Sequence, residues 1–228
     1  MYIAVTGLGR EARIVSRPDI TTLVGGGDME RLRNEIISAS QAGARRILSI
    51  GICGALSPAL QVGDCIVATE VVTLHERIPT HGAWTKELLE SIPDAQPGAI
   101  AGADAIVADS VAKSRLFEST KADAADMESH VAAATARSLG LPFAAVRVVS
   151  DASHHSLPHA AVVAMAPTGE VDYPAVLRSL FRRPAQIPAL IRTAFDAEKA
   201  FRVLFRCRHV LAPSLVRPSL GELSLDMT

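Results

Sequence analysis

Four short segments of the sequence combine carboxylates or glycines with the ends of apolar runs. They are the segment that holds Gly7 and Glu11, the segment 51–54, the segment 126–128 and the pair at 150–151. Carboxylates can move protons or accept hydrogen bonds, and glycines let a ligand approach the backbone closely. A single carboxylate after a strand is more often a helix cap or a solvated end. Taken together, the four segments predict a small-molecule site with acid–base chemistry.

Alternating patterns of apolar residues predict the elements that must position these segments. Apolar runs predict strands at residues 2–6, 21–24, 46–50, 65–74, 105–108, 122–127 and 143–150. Helical spacing predicts helices at 29–42, with Asp28 as its N-cap, and at 111–117 and 128–139. This alternation is typical of an α/β fold with helices packed on a largely parallel or mixed sheet. Such sheets bind ligands at strand carboxyl ends, where the four segments are expected to meet.

The composition predicts one soluble domain in a reducing compartment. The chain has 228 residues, of which 49% are hydrophobic, and its net charge is −1, which gives no general attraction to nucleic acid. The three cysteines form no CxxC pair, which argues against a disulfide framework or a zinc ribbon. No secretory signal is recognised at the start, and the apolar stretch 131–149 is interrupted by charges and a proline. We therefore expect a cytoplasmic protein without a nucleic-acid partner.

The last part of the chain is basic and amphipathic. Residues 175–212 contain seven arginines and one lysine against Asp196 and Glu198, and they hold four of the six phenylalanines. Helical spacing of the apolar residues predicts amphipathic helices packed on a catalytic domain at 1–174, and residues 213–228 are predicted to be a loose tail. These helices could be a core or oligomer contact, or a surface that meets anionic lipid.

Three of the segments resemble the motifs of one family, the nucleoside phosphorylase/nucleosidase superfamily. The sequence IGICGAL at 50–56, followed by VGD at 62–64, resembles its glycine loop; ADME at 125–128 resembles its ribose-binding motif, and VRVVSD at 146–151 resembles its base-protonating segment. The match covers residues 1–155 and implies a three-layer α-β-α sandwich around a central mixed sheet. The REAR sequence at 10–13 and the arginine-rich end at 181–205 are most similar to hopanoid-associated phosphorylases. That narrower resemblance implies adenosylhopane as substrate, an adenosine joined at its 5′ carbon to a triterpene.

The resemblance implies that Asp151 protonates a purine base. Cleavage of a purine N-glycosidic bond expels an anionic base, which leaves more easily when its N7 is protonated. An aspartate suits adenine, because its carboxyl group can donate to N7 and accept from the 6-amino group. An asparagine at this position would suit a 6-oxo purine better. The structural alternative is that Asp151 only caps the following turn.

The sugar side of the predicted site centres on Glu128. Its carboxylate can accept hydrogen bonds from the 2′- and 3′-hydroxyls and stabilise a cationic sugar, while Met127 packs on the sugar face. The alternative is an acidic first helical turn. Ile106 and Val107 align with the base-stacking segment of the family, which often has an aromatic residue at 106, so stacking is expected to be weaker. The other predicted contacts are Asp126, Ser150, Gly7, Gly51, Ile52, Cys53 and Gly54.

This sequence departs from the family at the residues that would hold the sugar acceptor, which is either phosphate or water. Hexameric bacterial phosphorylases have arginines at the positions of Glu11 and Ser49 and a hydroxyl residue at Ile52. A carboxylate at Glu11 would repel phosphate but could activate water, which favours hydrolysis slightly. Arg10, Arg13 or the backbone amides of 51–54 could still hold phosphate as a co-substrate.

Three function hypotheses are therefore kept. The first is cleavage of an adenosylhopane-like adenine nucleoside by water or phosphate, in hopanoid biosynthesis. The second is a 5′-methylthioadenosine/S-adenosylhomocysteine nucleosidase, and the third is a non-catalytic nucleoside-binding protein that docks on membranes. No cofactor and no metal is expected, since the spacing of His154, His155 and His159 matches no firm ligand pattern and favours a mobile loop over the pocket. The family implies a homodimer or larger homo-oligomer, and peripheral contact with the inner membrane would use residues 176–208.

Overall fold

A mixed β-sheet forms the centre of the computed structural model, which describes residues 2–164 and 168–216. The strands are β1 Tyr2–Thr6, β2 Ile20–Val24, β3 Arg46–Ala55, β4 Cys65–Val72, β5 Arg77–Pro79, β6 Gln96–Gly102, β7 Ala124–Asp126 and β8 Phe143–Asp151. The helices are α1 Gly9–Val15, α2 Met29–Gln41, α3 Gly82–Ser91, α4 Ser110–Thr120, α5 Ser129–Ser138, α6 His159–Val162, α7 Tyr173–Arg182 and α8 Ile187–Val216, with a 3₁₀ turn at Pro184–Gln186.

The strand pairing makes part of the sheet close on itself. The strands are hydrogen-bonded in the order β2-β1-β3-β7-β6-β4-β5, and β8 pairs with both β3 and β4. Strands β1 and β8 run parallel to β3, whereas β7 is antiparallel to β3 and β4 is antiparallel to β8. The double pairing of β8 joins β3, β7, β6, β4 and β8 into a ring. The predicted α/β fold with a central mixed sheet is confirmed.

Helices cover both faces of this sheet and complete its core. On one face α2 and α5 pack over the sheet, with Leu32 and Ile36 of α2 fully buried. On the other face α3 and the second half of α8 contribute Trp84, Leu88 and Phe201. Because β8 is covered on both faces, residues 143–149 are all buried. This layering explains why β8 is buried on both faces.

Two predicted segments have a different local structure. Residues 51–54 belong to the second half of β3 rather than to a loop, because β3 stays paired with β8 up to Cys53 and with β7 at Gly54 and Ala55. Residues 105–108 are irregular and not a strand; β6 ends before them at Gly102. Their apolar, β-branched composition is typical of strands, but here it lines a cavity. Helices α1 and α3 and strand β6 have no counterpart among the predicted elements.

In the C-terminal part, where basic amphipathic helices are predicted, the chain forms α7 and α8. Helix α8 continues to Val216, so residues 213–216 of the predicted loose tail are helical. The rest of that predicted tail, residues 217–228, lies outside the described residues. Within the part of the chain that the structure describes, no helix has both the length and the apolar character needed to cross a membrane.

Candidate active site

One cavity collects the four chemically interesting segments of the sequence. Its volume is about 210 Å³, below the usual range for drug-sized ligands and suited to a small molecule or to part of a larger one. Strands β1, β3, β7 and β8 each end at it, which follows the rule for α/β sheets. The predicted contact residues that line it are Gly7, Glu11, Ile52, Cys53, Gly54, Ile106, Val107, Asp126, Met127, Glu128, Ser150 and Asp151. Gly51 alone among the predicted contacts does not line it.

The glycines of the site make room for its carboxylates. A Cβ atom on Gly7 would lie 2.9 Å from the carboxylate oxygens of Glu128, and one on Gly54 would lie 3.1 Å from Oδ2 of Asp151. A Cβ on Gly51 would collide with Nη1 of Arg147 and come within 2.6 Å of Oε1 of Glu11. Gly51 therefore contributes space behind the cavity wall and no ligand contact.

Glu11 is held in place by three backbone amides. It lies in the first turn of α1, where its Oε2 accepts hydrogen bonds from the N–H groups of Gly7 at 2.7 Å and Leu8 at 2.9 Å. Its Oε1 accepts one from the N–H of Ile52 in β3 at 2.7 Å. Burial raises the pKa of Glu11, although Arg147 and these hydrogen bonds oppose the rise. A carboxylate with a raised pKa is better suited to take a proton from water.

A fully buried arginine joins the carboxylates of this region. Arg147 comes from the middle of β8, and its Nε lies 2.5 Å from Oδ2 of Asp126 and its Nη2 lies 3.9 Å from Oε2 of Glu128. The same Nη2 donates to Oγ of Ser49 at 2.6 Å. By the resemblance described above, Ser49 corresponds to an arginine in hexameric bacterial phosphorylases. In this chain the buried positive charge is Arg147, on the neighbouring strand β8. A buried charge of this kind is tolerated because it is paired and hydrogen-bonded.

Glu128 lies at the junction between β7 and α5, where it occupies the N-cap position. Its side chain makes no capping hydrogen bond; instead the residue lines the cavity. Burial raises the pKa of Glu128 to about 8, with Arg147 opposing the rise and Asp126 and Glu11 adding to it. Hydroxyl groups that donate to the carboxylate would favour its charged form.

Asp151 forms an ion pair that the sequence does not reveal. Its Oδ2 lies 2.5 Å from Nζ of Lys113, a side chain on α4 that is 1% exposed. Lys113 also donates to the carbonyl oxygens of Ala152 at 3.0 Å and His155 at 2.9 Å, which uses all three of its donors. The hydroxyl of Ser150 lies 2.7 Å from Oδ1 of Asp151. Asp151 is therefore a fixed, paired carboxylate at the cavity wall.

The remaining cavity wall is largely apolar. Ile106 and Val107 lie in the irregular segment after β6 and form one side of it. Leu157, near α6, and Ala197 of α8 form another side. The predicted loop over the pocket therefore contributes Leu157 to the cavity wall. One edge of the cavity could accept an apolar substituent without leaving a polar group unpaired.

The basic residues considered as phosphate ligands lie elsewhere. Arg10 pairs with Glu198 at 2.6 Å and Arg13 with Glu170 at 3.1 Å, and both pairs are solvent-exposed. Neither arginine lines the cavity. Among residues 2–164 and 168–216, no cluster of three or more His, Cys, Asp or Glu side chains could hold a metal ion.

Arg147 and Lys113 are the functional residues that sequence reasoning did not identify. An arginine inside the apolar strand sequence of 143–150 was a signal, because a charge buried on both faces must have partners. No such signal marks Lys113 in the sequence, because lysine is common in helices. The assembled site can place the Asp151–Lys113 pair and the buried carboxylates of Glu11 and Glu128 around one small molecule.

Comparisons with known proteins give a family and a fold. The family described as Phosphorylase superfamily matches residues 2–182 of the chain. No curated protein matches its sequence. Similar solved structures include a futalosine hydrolase of Helicobacter pylori, with 15% identity, a TM-score of 0.67 and coverage of 93% of this chain and 97% of that one.

Two further similar structures are nucleosidases. The 5′-methylthioadenosine/S-adenosylhomocysteine nucleosidase of H. pylori shows 16% identity and a TM-score of 0.67, and the alignment covers 94% of this chain and 97% of that one. The corresponding enzyme of Colwellia psychrerythraea, solved in complex with adenine, shows 14% identity and a TM-score of 0.61, with 87% and 95% covered. At these identities the likeness establishes the fold alone.

Proposed function

The chain belongs to the phosphorylase superfamily and is an enzyme of the nucleosidase or phosphorylase type, and we propose that it hydrolyses the N-glycosidic bond of an adenine nucleoside. Water is the acceptor in this proposal, and adenine is the released base. The nucleosidases among the structural neighbours support the choice of a nucleoside bond, and the carboxylate at 151 supports adenine.

The observation that carries the proposal is the position of the Glu11 carboxylate. The backbone N–H groups of Gly7, Leu8 and Ile52 would be natural donors to a phosphate, but all three already donate to Glu11. A phosphate dianion in their place would have to displace a carboxylate or lie against it. Arg147, the buried cation nearest to Glu11, is already neutralised by carboxylates.

The proposed reaction uses the three carboxylates in separate roles. The carboxyl group of Asp151 donates a proton to N7, and the bond between C1′ and N9 breaks with its electron pair moving onto the base. Glu128 accepts hydrogen bonds from the sugar hydroxyls and stabilises the cationic sugar. Water attacks C1′, and its proton passes to Glu11. The products are adenine and the free sugar.

The 5′ substituent in this proposal is a lipid, as in adenosylhopane, which would place the enzyme in hopanoid biosynthesis. The apolar wall formed by Leu157, Ala161 and Ala197 supports an apolar substituent. The small cavity volume favours the alternative, a 5′-methylthioadenosine or S-adenosylhomocysteine nucleosidase. A long substituent would have to leave the cavity past α6 and α8.

Adenine release in phosphate-free buffer tests the proposal. The substrates are 5′-methylthioadenosine and an adenosine with a long 5′ alkyl thioether, each measured with and without added phosphate. We expect release without phosphate and a higher kcat/KM for the long-chain compound. Strict dependence on phosphate would refute the hydrolytic proposal, and a preference for methylthioadenosine would select the alternative substrate class.

Two substitutions connect this activity to the site. Glu11→Gln and Asp151→Asn should each lower kcat/KM by about 10²- to 10⁴-fold, because each removes a proton-transfer group. Glu118→Gln is the matched control, since Glu118 is exposed on α4, and it should leave the rate unchanged. Wild-type rates in both site variants would show that these carboxylates do not carry the cleavage, and no adenine release from the wild type would indicate a protein that binds nucleosides without cleaving them.

A further inference from the structure

Helix α7 exposes some of its largest apolar side chains. Its buried side chain is Ser179, whose hydroxyl bonds to Nδ1 of His159 and Nε2 of Gln186 at 2.9 Å each. Of its large apolar side chains, Val176 and Leu180 are half-buried, whereas Leu177 and Phe181 face solvent, and Phe181 is 88% exposed. A helix that only completes a core turns its apolar face inward. The outward apolar face therefore calls for an apolar partner.

The first half of α8 continues this exposed apolar face. Ile187, Ile191 and Phe195 follow one another at intervals of four residues, which places them on one side of the helix. All three are exposed, Phe195 at 72%. One 3₁₀ turn at Pro184–Gln186 joins α7 to α8. We call the exposed side chains of residues 173–195 on these two helices the α7–α8 surface.

Unpaired positive charge accompanies these apolar side chains. Four exposed arginines belong to the α7–α8 surface, namely Arg178, Arg182, Arg183 and Arg192. Across the described portions of the chain, none of the four forms an ion pair with a carboxylate. By contrast, Arg10 and Arg13 on the neighbouring helix α1 are both paired.

We propose that the α7–α8 surface docks on the anionic face of a lipid bilayer. Large apolar side chains would enter the boundary between headgroups and acyl chains, and the arginines would contact lipid phosphates. Charge complementarity decides between this occupant and a second copy of the chain. A symmetric contact of this surface with itself would bring two sets of unpaired arginines together.

The cavity lies behind the same wall. Thr193 and Ala197 of α8 line the cavity, whereas Ile191 and Phe195 of that helix face solvent. Docking would thus place the wall of the site at the lipid boundary. The docking itself does not depend on the proposed reaction, because vesicle binding needs no substrate.

Flotation of the full chain with vesicles tests the proposal. One set of vesicles contains phosphatidylcholine alone, and the other contains phosphatidylcholine with phosphatidylglycerol. We expect flotation with the anionic vesicles, little with the neutral ones, and a decrease as salt is added. Failure to float with anionic vesicles, or equal flotation with both sets, would overturn it.

Paired substitutions localise the contact. Phe181→Ser with Phe195→Ser should weaken vesicle partitioning at least tenfold, and Arg182→Gln with Arg192→Gln should weaken it about fivefold for each arginine. The matched controls are Leu74→Ser and Arg115→Gln, which change an exposed leucine and an exposed arginine elsewhere. Controls that lower flotation as much as the test variants would refute the assignment.

Two further measurements separate this proposal from its alternatives. Adenine release from methylthioadenosine should be unchanged in all four variants, so a failed reaction and a failed docking surface are distinguishable. Sedimentation measures the oligomeric state. If the phenylalanine variant dissociates an oligomer while wild type does not bind vesicles, the α7–α8 surface is a contact between copies and the lipid proposal is wrong.

Discussion

The active-site cavity and the α7–α8 surface use charge in opposite ways. Lys113 in the cavity wall and Arg147 behind it are both buried, and each lies 2.5 Å from a carboxylate oxygen. On the α7–α8 surface the arginines are exposed and unpaired, and large apolar side chains stand beside them. A buried ion must have its partners within the chain because desolvation is costly, whereas an exposed one can remain available for an external partner. Burial and pairing therefore distinguish the charged residues of the active site from those of a docking surface.

The largest effect should come from removing the buried arginine. Arg147→Met leaves Asp126, Glu128 and Glu11 facing one another without a cation, so we expect a loss of about 3–5 kcal/mol in the free energy of unfolding. Urea unfolding measures it. The matched control Arg115→Gln changes an exposed arginine and should stay within about 0.5 kcal/mol of wild type.

A second variant keeps this comparison interpretable. Arg147→Lys retains a positive charge and should recover part of the lost stability, although it cannot reproduce the guanidinium contacts. If Arg147→Met unfolds at the same urea concentration as Arg115→Gln, the buried pairing does not stabilise the fold and the contrast with the surface arginines fails.

Removal of Lys113 should slow catalysis. Lys113→Met takes away the group that positions Asp151 and holds the carbonyls of Ala152 and His155. A misplaced acid costs about 10²-fold, and we expect this loss mainly in kcat, with KM changed much less. The assay is adenine release, with Lys86→Met on the exposed side of α3 as control. An equal rise in KM with unchanged kcat would show that Lys113 serves substrate binding only.

The smallest effect concerns the pH dependence that Glu128 imposes. Its pKa of about 8 means that the free enzyme holds it mostly protonated at pH 7. The ionised form stabilises the cationic sugar, so kcat/KM should rise by about fivefold from pH 7 to pH 8 and by about twofold more before it levels off above about pH 9. Glu128→Gln should be slow and should lack this rise. A flat wild-type profile would contradict the role given to Glu128.

The titration of Glu128 should also change the free energy of unfolding, and the sign of that change follows from the raised pKa. A carboxyl group whose pKa is raised from 4.5 to about 8 by folding contributes stability below pH 4.5, and that contribution is lost as pH rises toward 8. Wild type should therefore lose unfolding free energy relative to Glu128→Gln across this interval. If the difference in unfolding free energy between the two proteins does not change with pH, Glu128 is not the group that titrates.

Local sequence patterns were sufficient for much of the fold and for the polar groups of the cavity. Strand β1 and the Asp28 cap of α2 coincide with their predictions, because apolar alternation and capping act within a few residues. The segment 105–108 shows the limit. Its apolar character was evident, but only the surrounding structure decides whether such residues enter a strand or line a cavity.

The sequence by itself determined that carboxylates at 11, 128 and 151 stand near strand ends, and that the C-terminal helices are basic and amphipathic. Side-chain type and spacing carry that information. Only the tertiary structure decided that Lys113 pairs with Asp151, that Arg147 joins the other carboxylates, and that Glu11 occupies the amides a phosphate would need. It also decided that Leu177 and Phe181 of α7 face solvent. These outcomes depend on contacts between residues far apart in the chain, so strand register and helix packing set them.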